Sequence, residues 1–144
     1  MDKHAQTERP WWILLFLGVL CLSMMGCTQV NPQSTFEELL KVRPPESVKI
    51  TNFSADILFL DPSFAWELSP IDEALLKSLI EKNQLKTSSV GETIPASGTT
   101  WKLSWWDQKR LDSLPEAYFD DSSNGLRIWV DRTKNQLYIE FAGR

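Results

Sequence analysis

Hydrophobic and polar positions divide the chain into one long apolar run near its start and a series of short periodic segments further on. Trp11 to Met25 is apolar for 15 residues. Thr28 to Ser47 is largely polar and carries Pro32, Pro44 and Pro45. Within it, Ser34 and Glu37 have the spacing of a capping box, which predicts one or two helical turns. From Val48 the pattern changes. Val48 and Ile50, with Phe53, alternate with Lys49 and Thr51 as in a half-buried strand. Ile57 to Leu60 is a continuous apolar run ended by Asp61-Pro62, and proline breaks a strand ladder. Phe64, Trp66 and Leu68 then share one face of a second alternating segment.

The strongest periodicity follows. Ile71, Leu75, Leu76, Leu79 and Ile80 line one face at helical spacing, opposite Lys77, Glu81 and Lys82. Ser69 as cap, Pro70 in the first turn and Asp72-Glu73 near the positive end predict a helix over about 70–83. Residues 86–100 are polar, with two glycines and Pro95, and read as an exposed loop. Trp101, Leu103, Trp105 and Trp106 come next, and Asp107 can cap a short helix over about 108–114 with Leu111 and Leu114 inward. The remainder predicts a meander: a strand at 117–119, a turn at 120–125 ending in Asn-Gly, and two further strands. Leu126, Ile128 and Val130 face the same way as Leu137, Ile139 and Phe141. Arg127, Trp129, Tyr138 and Glu140 then face outward, with Trp129 opposite Tyr138.

These elements define an α+β fold, one main amphipathic helix packed on a mostly antiparallel sheet that ends in a C-terminal β-meander. Three regions are expected: residues 1–26 as a leader, 27–47 as a tether, and 48–144 as one small domain. Fully extended, a tether of about 20 residues reaches roughly 65–70 Å.

The leader has its own chemistry. Its apolar run is shorter than the roughly 20 residues that cross a bilayer as a helix, but it suits the core of an export signal. Met24-Met25-Gly26-Cys27 closes that run with a small residue directly before a cysteine. This resembles the lipobox of bacterial lipoproteins, with methionine at 24 where leucine is usual. An uncleaved anchor and an ordinary signal peptide cut nearby are the alternatives. The resemblance implies cleavage before Cys27, diacylglycerol on its sulfur and often a further acyl chain, such as palmitate, on its amino group. Thr28 stands where an aspartate would resemble an inner-membrane retention signal. The implied location is therefore the cell membrane or outer membrane, lipid-anchored and facing the periplasm. Val48 to Phe141 also resembles small uncharacterised bacterial lipoproteins that share a strand pair, one amphipathic helix, a Trp-Trp-Asp segment and a closing hairpin. That likeness implies no activity.

Composition narrows the chemistry. The net charge is −4 and no basic stripe is present, which disfavours nucleic acid as a partner. The one histidine, His4, lies in the leader with Cys21. Cleavage before Cys27 would leave 118 of the 144 residues, with 13 basic and 17 acidic, and Cys27 as the sole thiol-bearing position. Such a chain assembles neither a Ser-His-Asp triad, nor a Cys-His pair, nor a His/Cys zinc site, nor an internal disulfide. No cofactor is expected.

Two constellations remain. Asp120, Ser122, Asn124 and Gly125, with Asp131 in the twelfth place, partly match a calcium loop. Arg127 in the eighth place and strand-like flanks favour a plain hairpin, so no metal site is expected. Five tryptophans fall after Cys27. Trp66 is in phase with core positions, whereas Trp105 and Trp106 point differently because they are adjacent. Trp105, Trp106, Trp129 and Tyr138 are the candidate ligand or partner contacts, since aromatic rings anchor proteins and stack on sugars. Asp107, Asp112, Glu116, Asp120 and Asp121 lie near them in sequence and could supply paired carboxylates for a carbohydrate- or peptidoglycan-acting domain. Helix caps and turns account for the same residues. The expected function is a non-catalytic binding or structural module of the envelope. Its expected partners are the membrane, through the lipid anchor, and an envelope protein or glycan.

Overall fold

The computed structural model describes residues 30–57, 61–88, 101–120 and 125–143. The expected leader, Leu58 to Leu60, most of the 86–100 loop and the tip of the 120–125 turn lie outside these residues.

The fold is α+β, as the pattern implies. Six strands form one sheet: β1 (Lys49–Asp56), β2 (Ser63–Ser69), β3 (Lys86–Thr87), β4 (Ala117–Phe119), β5 (Leu126–Asp131) and β6 (Gln136–Ala142). Their order is β1-β2-β6-β5-β4-β3, and every neighbouring pair is antiparallel. The meander β4-β5-β6 is present, with Trp129 opposite Tyr138. β6 also pairs with β2, placing Trp66 opposite Ile139. A register shift between Ile50 and Asn52 irregularises β1, whose outer side is one edge of the sheet.

Two helices cover one face. The expected amphipathic helix is α2 (Glu73–Asn83), which buries Leu75, Leu76 and Leu79. It begins three residues later than the Ser69-Pro70 signal implies. Ser69 still belongs to β2, opposite Lys49, and Asp72 is the cap, accepting a hydrogen bond from the Leu75 N–H at 2.8 Å. The Ser69-Pro70 bond is cis.

The expected tether is corrected over residues 30–47, while 27–29 lie outside the described residues. Residues 32–48 are built into the domain: α1 (Pro32–Leu40) buries Phe36 and Leu40 completely, and Val42 and Val48 join the same core. Asn31 caps α1, not Ser34, accepting hydrogen bonds from the Gln33 and Ser34 N–H groups at 2.9 and 3.1 Å. Pro32 takes the first helical position, where its missing N–H costs nothing. The spacing of Phe36 and Leu40 puts both on one helix face. Trp66 sits beneath them, edge-on to Phe36 at 5.7 Å, and its indole N–H donates to the Pro32 carbonyl at 3.1 Å. Asn83 of α2 donates to the Leu40 carbonyl at 3.2 Å and ties the two helices at their C-terminal ends.

Strands β2 and β5 are buried along both faces. The helix side carries Phe64, Trp66, Leu68, Leu126, Ile128, Val130, Leu137 and Ile139. The opposite side is covered by residues 101–114, including the single-turn helix α3 (Gln108–Leu111), shorter than expected but capped by Asp107. The domain therefore has three layers, with the sheet in the middle.

Candidate functional site

The second face of the sheet gathers the residues with chemical potential. Alternation puts Ala65, Glu67, Arg127, Trp129, Asp131, Tyr138 and Glu140 on the side away from the helices. All seven are buried. Trp106 is the centre of the cover. Its ring stands edge-on to Trp129 at 5.6 Å and to Trp105 at 5.5 Å, and lies 6.2 Å from Tyr138 and 6.4 Å from Trp101. Its indole N–H donates to Gln108 at 3.0 Å, and Gln108 donates to Asp112 at 2.8 Å.

The four aromatic residues singled out from sequence thus meet in one cluster, but not as an exposed contact surface. Trp106, Trp129 and Tyr138 are interior, and of the four only Trp105 is partly exposed. The outward assignment of Arg127, Trp129, Tyr138 and Glu140 is corrected for the same reason. The cover comes from residues 101–114, distant in sequence from the hairpin.

Three polar units run through this layer. Glu140 accepts hydrogen bonds from Arg127 at 3.1 Å and from the Trp101 indole at 2.8 Å. Arg110 lies over the Tyr138 ring, 4.9 Å from its centroid, and donates to Asp131, whose other oxygen accepts from the Lys134 N–H at 3.0 Å. Glu67 accepts from Asn52 at 2.8 Å and from Gln136, which in turn accepts from the Tyr138 hydroxyl at 2.7 Å. Burial raises the Tyr138 hydroxyl above the ordinary phenol range, although Arg110 works against it. For Arg110, burial pulls the guanidinium pKa down, but Tyr138 and Asp131 outweigh it and the net shift is upward. Among the described residues, Arg127 Nε and Trp129 Nε1 are buried without a hydrogen-bond partner.

The carboxylates from the sequence stand elsewhere or are engaged. Asp107 caps α3, accepting from the Arg110 N–H at 3.2 Å, and Asp112 is bonded to Gln108. Glu116 takes two hydrogen bonds from Arg132, at 2.8 and 2.9 Å, and one from the Tyr118 hydroxyl at 3.1 Å. Arg132 reaches Glu73 of α2 as well, so one guanidinium joins the meander to the helix layer. Hydrogen bonding from Arg132 holds the Glu116 carboxyl below its ordinary range, against a smaller opposing effect of burial. Asp131, the twelfth position of the calcium template, is occupied by Arg110 and Lys134, while residues 121–124 lie outside the described residues. Among the described residues no group of three His, Cys, Asp or Glu side chains is placed to hold a metal ion.

Sequence reasoning missed the Arg127–Glu140 and Arg110–Asp131 pairs. The first was within reach, because Trp129 opposite Tyr138 fixes Arg127 opposite Glu140 two residues away.

A recess of about 600 Å³ opens between the start of α1 and the start of β1. Asn31, Gln33, Arg43, Pro45 and Lys49 are among its lining residues. No helix among the described residues is long and apolar enough to cross a membrane. Comparisons with protein-family models, curated proteins and solved structures return no match to this chain.

Proposed function

We propose that the protein is a lipid-anchored envelope lipoprotein whose domain acts as a non-catalytic binding or structural module. The observation that carries this reading is the position of Cys27. It ends the apolar run behind Gly26 and precedes Asn31, the cap of α1, by four residues. Cleavage before Cys27 would leave every described helix and strand intact. Acyl chains there would contribute about 0.8 kcal/mol for each methylene buried in the membrane, and two or more chains give stable anchoring.

Non-catalytic action is supported by how the carboxylates are used. Glu67, Asp131 and Glu140 are buried and hydrogen-bonded to side chains of the fold, so they serve the packing of the second layer. Without Cys27, the chain that follows the leader contains neither histidine nor thiol.

Metabolic labelling with a clickable palmitate analogue, followed by intact-mass analysis, tests the anchor. The wild-type protein is expected to take up label, begin at Cys27 and enter the detergent phase. Cys27→Ser is expected to lose all three properties, and unaltered processing and membrane retention of that variant would reject the anchor. Turnover of an envelope glycan by the purified domain, abolished by one Asp or Glu replacement, would reject the non-catalytic reading.

A glycan-contacting role is the second reading, and the partial exposure of Trp105 favours it. Titration with peptidoglycan fragments should then change tryptophan emission in the wild type and leave Trp105→Ala unchanged.

A further inference from the structure

The chain has almost no slack between its proposed anchor and its fold. Asn31 caps α1, and the Pro32 carbonyl is held by the Trp66 indole at 3.1 Å. Trp66 is completely buried in the middle of the domain, so this start of the fold cannot peel away without disturbing the core. Four residue steps separate Cys27 from Asn31, which reach at most about 13–14 Å when fully extended.

The surface around that point is well defined. Asn31, Pro32 and Gln33 line the same recess as Arg43, Glu46 and Lys49, so the start of α1 lies beside the start of β1 and the recess carries two cations against one carboxylate. The Arg43 side chain is 78% exposed, although it also pairs with Glu37 at 3.4 Å, and Lys41, Ser47 and Lys49 are exposed too. Across the sheet, β3 is the opposite edge. Five strand spacings of ~4.8 Å separate it from β1, or about 24 Å.

We propose that the recess face, comprising the start of α1, residues 41–47 and the start of β1, lies against the headgroup layer of the membrane that holds the Cys27 acyl chains. This rests on the lipid-anchor reading above. Arg43 and Lys49 then meet headgroup phosphates, while β3 and the tryptophan layer project away from the bilayer. The occupant of the recess face is lipid headgroup, because the tether is too short to let the domain turn over and present another side at the same depth.

The test uses the acylated protein as processed, beginning at Cys27, in vesicles of phosphatidylethanolamine and phosphatidylglycerol doped with headgroup-nitroxide lipid. The acylated form has no free thiol, so Ser47→Cys and Thr87→Cys each accept one fluorophore. The wild-type protein, run in parallel, is expected to take up none. Fluorophore on the wild type would mean that Cys27 is unmodified or that the leader with Cys21 is retained; either is failure of the anchor reading and is seen separately. In acylated protein, quenching is expected to be severalfold stronger at position 47 than at 87. Equal quenching, or stronger quenching at 87, overturns the proposal. A long Gly-Ser spacer inserted between Val30 and Asn31 should bring position 47 down to the level of 87. Unchanged quenching with the spacer would also overturn it, because the short tether would not be what presents the face.

Discussion

Arg127 and Glu140 face each other across the β5–β6 hairpin, 3.1 Å apart, with both side chains almost wholly removed from solvent. A buried ion pair gains attraction at low dielectric but loses hydration, so its net worth is small while the loss of one partner is costly. Glu140→Ala is expected to destabilise the domain by about 3–5 kcal/mol, because it strands the Arg127 guanidinium and removes the acceptor of the Trp101 indole. The double variant Arg127→Met/Glu140→Leu should lose less than Glu140→Ala alone. Urea unfolding of both variants and the wild type decides this, and a double variant less stable than the single would contradict it.

Phe36 tests whether residues 32–40 belong to the domain. Phe36→Ala removes a fully buried ring and its edge-on contact with Trp66, at an expected cost of about 3–5 kcal/mol. A tether residue would cost nothing measurable. Thermal and urea unfolding report the difference directly.

Arg132 holds the Glu116 carboxyl low, so ionised Glu116 favours the fold above the ordinary carboxylate range. That contribution fades as pH falls through the lowered pKa. Arg132→Ala should therefore move the Glu116 titration upward toward the ordinary range. The stability gap between wild type and variant should narrow as the solution is acidified. Carbon-detected NMR titration of Glu116 measures the first effect, and urea midpoints across pH measure the second. An unmoved titration would show that Arg132 is not the cause.

Gly125 enters β5 at a φ of +57°, and a Cβ there would stand 2.7 Å from the Ala142 carbonyl oxygen of β6. Gly125→Ala should cost about 1–2 kcal/mol for the left-handed backbone alone, with the close contact adding to it. Amide exchange should quicken first at Leu126 and Ala142. Protection unchanged from the wild type would refute this account.

Legibility in the sequence follows the range of the forces involved. The α2 stripe and the meander are local patterns, and both are present. The start of α2 was misplaced because Ser69-Pro70 imitates a cap, while the pairing of Ser69 with Lys49 keeps it in β2. The Ser34/Glu37 spacing marks the helical turns of α1, but the prolines of residues 32–45 hid its place in the core, although Phe36 and Leu40 already had core spacing. The hairpin register was readable, including the pairing of Trp129 with Tyr138. Its burial was not, because an alternating strand looks the same whether water or a tryptophan layer covers its second face. Only the packing of Trp106 and Leu111 over β5 and β6 settles that, and no local pattern in the strands encodes it.

The strand order β1-β2-β6-β5-β4-β3 makes β6 the seam between two parts of the sheet. Without it, β1-β2 and β3-β4-β5 share no ladder. Because β6 is drawn from Gln136–Ala142, a polypeptide emerging amino-terminus first from a narrow channel lacks its unifying strand until all five other strands are out. A chain truncated ahead of residue 136 would thus carry two unjoined pieces of sheet with open edges, a substrate for proteases and not a shortened but working domain.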